Sequence, residues 1–116
     1  MSRPLGALFH IPHGLSNAVL LAEVTRFSFE GAEHLYNEIA AFLHLKPGLN
    51  NLIQYLENLN RDLEVPRLRD CCNNDLDLFN QLIPKMAHDA LASGSPANNP
   101  RVPTAEQIEA IYRAAW

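Results

Sequence analysis

Apolar residues recur along this chain three and four positions apart and nowhere alternate over the length of a strand. Leu15, Ala18, Val19 and Ala22 follow the i, i+3, i+4, i+7 rule, and Leu20, Leu21 and Val24 add a second apolar face. This predicts a central helix from about Gly14 to Phe27, buried on most sides. A second helix is predicted after Gly31. Its core stripe is Leu35, Ile39, Phe42 and Leu43, its water-facing side is Glu33, Asn37 and Glu38, and Lys46-Pro47-Gly48 stops it. A third carries Leu49, Leu52, Ile53, Leu56, Leu59 and Leu63 and ends at Val65-Pro66, because a residue before proline avoids the helical region. Leu76, Phe79, Ile83, Met86 and Ala90 hold one register from Leu76 to Ala92. Pro84 lies inside that register, which predicts either a kink or a second helix with Pro84 in its first turn. Ser93-Gly94-Ser95-Pro96 closes this segment, and a proline-stiffened loop runs on to Pro103. Thr104-x-x-Gln107 then opens a last helix as a capping box, with Ile108, Ile111, Tyr112 and Ala115 on its apolar face. The expected fold is all-α: one domain over residues 1–116, a compact bundle of five or six helices with no sheet and no internal repeat.

Composition narrows the partners. A chain of 116 residues buries roughly two-thirds of its unfolded surface, enough for one core. The net charge is -4 with nine Lys and Arg, and the nearest thing to a basic stripe is Arg67-x-Arg69, partly neutralised by Asp70. That argues against nucleic acid as a partner. The longest uninterrupted apolar run, Ala18 to Ala22, is too short to span a bilayer, and no targeting segment is visible at the start, so no membrane partner and a cytoplasmic location are expected. Adjacent Cys71 and Cys72 read as two free thiols of a reducing compartment, set in a turn.

Candidate chemistry is sparse. His13 is pinned between Pro12 and Gly14 at the mouth of the first predicted helix. The positive end of a helix dipole favours the neutral imidazole that a first-row metal takes, Pro12 fixes the backbone before the ring, and Gly14 eases the turn into the helix. The same placement also suits a plain helix start, since a metal needs three or four donors. His10, three residues earlier, is expected to be a half-buried loop residue. His34, His44 and His88 read as surface histidines without a partner at i+4. No Ser-His-Asp order, phosphate loop or Cys-x-x-Cys is present.

The segment Pro4-Leu5-Gly6-Ala7-Leu8-Phe9-His10-Ile11-Pro12-His13-Gly14-Leu15-Ser16-Asn17-Ala18 resembles the second signature of the iron-containing (group III) alcohol dehydrogenases. Met86-Ala87-His88-Asp89-Ala90-Leu91-Ala92-Ser93-Gly94-Ser95-Pro96-Ala97-Asn98-Asn99-Pro100-Arg101 resembles a later stretch of the same family, as does Val65-Pro66-Arg67-Leu68-Arg69-Asp70 between them. The resemblance covers essentially the whole chain. It implies the dehydroquinate-synthase-like helical domain of a two-domain enzyme whose other, α/β domain binds NAD(P). It also implies a divalent metal, usually iron and sometimes zinc, held by one Asp and three His, which polarises the alcohol oxygen while hydride passes to the nicotinamide. By resemblance His13 is the last of those ligands. The other three fall before Met1, and the position where the family places a further active-site histidine, just before Pro-Leu-Gly, is Arg3.

Three functions follow as expectations. The chain is a C-terminal part of such a dehydrogenase with no catalysis of its own and no stably bound iron, zinc or NAD(P). Alternatively, it completes an active site with a separately encoded N-terminal half. As a third reading, it is a helical scaffold module that self-associates through the apolar face its missing neighbour leaves exposed, most simply as a homodimer.

Overall fold

The computed structural model describes all of Met1–Trp116 and opens with a helix that the apolar pattern does not announce. Helix α1 runs Ser2–Phe9, with Pro4 in its first turn, where an amide has no partner in the helix anyway. It stops at His10, which takes the left-handed conformation at φ 56°. After Pro12 come α2 (His13–Ser28), a 3₁₀ turn (Phe29–Gly31), α3 (Glu33–Phe42), α4 (Leu49–Asp62), α5 (Leu68–Cys71), α6 (Leu76–Ala92), a second 3₁₀ turn (Ser95–Asn98) and α7 (Ala105–Ala114). The all-α expectation stands, with seven α-helices rather than five or six.

The centre of the fold is α6. Phe79, Ile83, Met86, Ala87 and Ala90 all lie on its inner face and are fully buried against Leu5, Leu20, Leu68, Ile108 and Tyr112. The helix passes through Pro84 unbroken. Pro84 and Asn80 are both exposed, so the turn that lacks the Pro84 donor lies on the outer face of the helix. Asp75 caps the helix by accepting from the Leu78 amide at 2.9 Å. The capping box of α7 is present as expected: the Gln107 amide donates to Thr104 Oγ1 at 3.3 Å and the Thr104 amide to Gln107 Oε1 at 2.9 Å.

Two expectations are corrected. Helix α2 touches α1, α4 and α7 but is not buried on most sides: only Ser16, Leu20, Thr25 and Ser28 are buried, and Leu21 is exposed. Helix α3 presents a different face from the one expected. Its one buried residue is Ala40, and Tyr36 stacks on Phe29 at 5.7 Å, while Leu35, Ile39 and Phe42 are exposed. Asn37, expected to face water, is half-buried and accepts from the Gly48 amide at 2.9 Å. The stop comes at His44, left-handed at φ 57°, before Lys46-Pro47-Gly48 is reached.

Cys71 closes α5, and Cys72 lies in the turn after it, as expected, but is 1% exposed and part of the core. Burial, and the neighbouring Cys71, push the Cys72 thiol from an ordinary 9.0 to about 12. A proton held more tightly in the folded chain gives stability that is complete below pH 9 and is lost as pH rises toward 12. Tyr112 acts in the same direction above pH 10, its hydroxyl buried and donating to the Met1 carbonyl at 2.6 Å. The unfolding free energy from urea titrations in reducing buffer should therefore fall between pH 8 and 10.5 by on the order of 1–2 kcal/mol, and that of Cys72→Ala should fall measurably less.

Candidate functional site

His13 is the first residue of α2, placed there by Pro12, whose ψ of 142° turns the chain into the helix and whose carbonyl accepts from the Ser16 amide at 2.8 Å. Ser16 is fully buried, and its hydroxyl donates back to the Ile11 carbonyl at 3.3 Å, tying the turn to the helix it starts. The His13 ring is exposed, with Nε2 3.3 Å from the amide nitrogen of Asn17 one turn on. An amide donating there requires the neutral ring with its proton on Nδ1. The Nε2 lone pair that Asn17 meets is the one a metal takes through that nitrogen, so Asn17 and a metal compete for it.

Gly14 is helical with ordinary φ, and a Cβ built on it meets nothing within 4 Å. The glycine is therefore not demanded by the turn. Its effect is to leave the surface beside His13 bare.

His10 makes no hydrogen bond to His13. It is exposed rather than half-buried, and it caps α1 in the left-handed conformation. His34, His44 and His88 are exposed on other elements, and no three His, Cys, Asp or Glu side chains converge anywhere in the chain. These residues therefore fit one ligand of a metal site and do not form a site by themselves. Asp89 is committed elsewhere: a 2.6 Å bond from Lys85, with His88 3.5 Å away, holds its carboxyl below the usual range.

A cavity of about 480 Å³ lies apart from His13 among α2, α4, α7 and the segment from Val65 to Leu68. Val19, Asn60, Arg61, Arg67 and Trp116 are in its wall, with no nucleophile or base pair.

A feature the sequence reading missed is the lock between the loop before α7 and the end of α2. Arg101 lies over the Phe27 ring at 4.4 Å, pairs with Glu30 at 2.9 Å and donates to the Phe27 carbonyl at 3.3 Å. Asn99 and Ser28 hydrogen-bond to each other at 2.9 Å. Asn-Asn-Pro-Arg in a proline-bounded loop was the only available signal, and it does not say what the loop docks on.

The fold and the site define an all-helical domain with an exposed imidazole at a helix start. The model of the Fe-containing alcohol dehydrogenase family, C-terminal, matches residues 1–116, and the chain belongs to that family. It is 33% identical to lactaldehyde reductase of Escherichia coli (strain K12) over 124 residues, covering 100% of this chain and 31% of the relative. It is 33% identical to the 1-propanol dehydrogenase PduQ of Citrobacter freundii, covering 96% of this chain and 32% of the relative. A crystal structure of 1,3-propanediol oxidoreductase superposes with a TM-score of 0.87 at 30% identity, over 99% of this chain and 31% of that one. The chain thus spans about a third of the length of the relatives it matches. No helix is long and apolar enough to cross a membrane.

Proposed function

We propose that these 116 residues are the later helical part of a cytoplasmic, metal-dependent, NAD(P)-linked dehydrogenase of short-chain alcohols, and that they have no turnover alone. The observation that carries this reading is His13. It is an exposed imidazole at a helix start, bare on the Gly14 side, in a chain matched to the family from end to end. Its role is to supply one ligand, iron or zinc being the metal, while the remaining donors and the dinucleotide-binding fold come from residues outside these 116. The short chain of the alcohol is supported by the relatives, a lactaldehyde reductase and propanol and propanediol dehydrogenases. No step of the reaction is assigned to this chain's residues by themselves, since they hold a single donor of the set.

The purified chain with ferrous iron or zinc, NAD or NADP and 1-propanol, 1,3-propanediol or lactaldehyde is expected to show no turnover. A chimera carrying residues 1–116 in place of the matching third of the Citrobacter freundii 1,3-propanediol dehydrogenase is expected to bind metal. His13→Ala in that chimera should weaken metal binding at least about a hundredfold, more than the loss of an outer partner. Turnover by the isolated chain, or metal binding indifferent to His13→Ala, overturns the reading.

A further inference from the structure

We infer that the cavity among α2, α4 and α7 is a binding site for a small organic anion, a single carboxylate or phosphate group carried on a short apolar body. The inference goes beyond the dehydrogenase reading and does not depend on His13 or on a metal. What carries it is a pair of guanidiniums with no counter-charge. Arg26, Arg69, Arg101 and Arg113 each pair with a carboxylate of this chain. Arg61 and Arg67 pair with none, and both stand in the cavity wall. The two carboxylates of the same wall, Glu23 and Glu57, are already held by Arg26 at 3.2 and 3.6 Å. An arginine fork takes a carboxylate or a phosphate through two parallel hydrogen bonds, and the chain provides neither fork with one.

The backbone sets this pair in place. Arg61 is in the last turn of α4, and Arg67 is the residue before α5. Between them the chain reverses at Glu64, left-handed at φ 54°. The Glu64 amide donates to the Arg61 carbonyl at 3.0 Å and the Val65 amide to the Asn60 carbonyl at 2.8 Å, so one hydrogen-bonded helix end carries both arginines. The Asn60 side chain donates to the Ala18 carbonyl at 2.9 Å and ties that end to α2. The rest of the wall suits an apolar body: Val19 and Ala22 from α2, Val65 and Leu68, and Trp116. Its volume of about 480 Å³ falls within the roughly 300–1,000 Å³ of small-molecule sites. Two arginines beside two glutamates favour a ligand with one charged group over an extended polyanion, which needs a continuous basic surface.

Trp116 is the chain's one tryptophan and lies in the cavity wall, so its emission reads occupancy. The full chain is titrated at constant ionic strength with benzoate, phenyl phosphate, inorganic phosphate and benzamide, the last two supplying the charge alone and the apolar body alone. A saturable change is expected with benzoate or phenyl phosphate, at least about tenfold tighter than with inorganic phosphate or benzamide. Arg61→Gln and Arg67→Gln, both at exposed positions, should each weaken binding by about tenfold or more. Arg113→Gln, which removes a guanidinium paired with Glu109, should leave it unchanged. Circular dichroism on the same variants checks that the helices are intact. Calorimetric titration of the chimera with the 1,3-propanediol dehydrogenase is expected to show the same preference among the four probes. Probes bound by the chain alone and not by the chimera would mean that upstream residues fill the cavity, and would overturn the inference. So would the lack of any saturable response, an equal response to sodium chloride, or binding indifferent to both Arg61→Gln and Arg67→Gln.

Discussion

Replacing Phe79 with alanine is expected to lower the melting temperature by roughly 15–25 °C, a loss of about 3–5 kcal/mol. Phe79 is fully buried on α6, and three aromatic rings from both ends of the chain meet it. Phe9 from α1 lies 5.9 Å away, Tyr112 from α7 makes an edge contact at 6.5 Å, and Trp116 sits at 4.4 Å. Removing the ring leaves a cavity whose walls belong to three separate elements, so little collapse can fill it. A domain of this size has on the order of 5–15 kcal/mol in total, which puts the variant near its unfolding limit at 37 °C. Trp116 is the chain's one tryptophan, so its emission reports directly on this cluster as a urea titration proceeds. Phe79→Leu should recover more than half of the loss. A cost below about 1 kcal/mol for the alanine variant would mean that the two ends are held by something else.

Much of this framework was legible in the periodicity, and the failures have identifiable causes. The registers of α4, α6 and α7 are set by single apolar rows with clear caps, and each was read correctly to within a turn. Helix α1 was not seen because Pro4 and Gly6 within eight residues look like breakers. Pro4 stands where its missing amide costs nothing, and a Cβ on Gly6 would lie 3.3 Å from the Ile11 carbonyl, so each has a local reason to be there. Helix α3 offers two apolar stripes, one through Leu35, Ile39 and Phe42, the other through Tyr36, Ala40 and Leu43. Periodicity cannot rank them. The Phe29 ring against Tyr36 and the Gly48 amide on Asn37 decide the matter, and both arrive from elsewhere in the chain. The turn at Cys72 is legible, but its burial is not, because the four-residue α5 is too short to show a period.

At the site, the turn around His13 was legible, but its chemistry was only partly so. The Pro-His-Gly order does place an imidazole at a helix start. What it does not carry is Asn17 at 3.3 Å, the bare surface at Gly14, or the absence of a third donor. Ligand sets are assembled by tertiary structure, and a helix start by itself supplies one of them.

Gly31→Ala is the second substitution with a large expected effect, and its mechanism is steric. A Cβ on Gly31 would lie 2.6 Å from the Pro100 carbonyl oxygen, 2.7 Å from its carbon and 2.8 Å from the Arg101 nitrogen. All three are backbone atoms, so no side chain can swing aside, and one segment must move. The segment most free to move is the loop from Ser95 to Pro103. Displacing it strains the Asn99–Ser28 hydrogen bond, the Arg101–Glu30 pair at 2.9 Å and the seat of Arg101 over Phe27. Overpacking of this kind costs roughly 1–3 kcal/mol, or about 5–15 °C in the melting temperature. The loss should be local before it is global: amide exchange should rise first at Asn99 and Arg101 and at the start of α7, while α6 stays protected. Arg101→Ala removes the lock without the clash and should cost less than Gly31→Ala. Combining the two should cost well under the sum of the single losses, because both act by releasing the same loop. Fully additive losses would place the effect of Gly31 somewhere other than this contact.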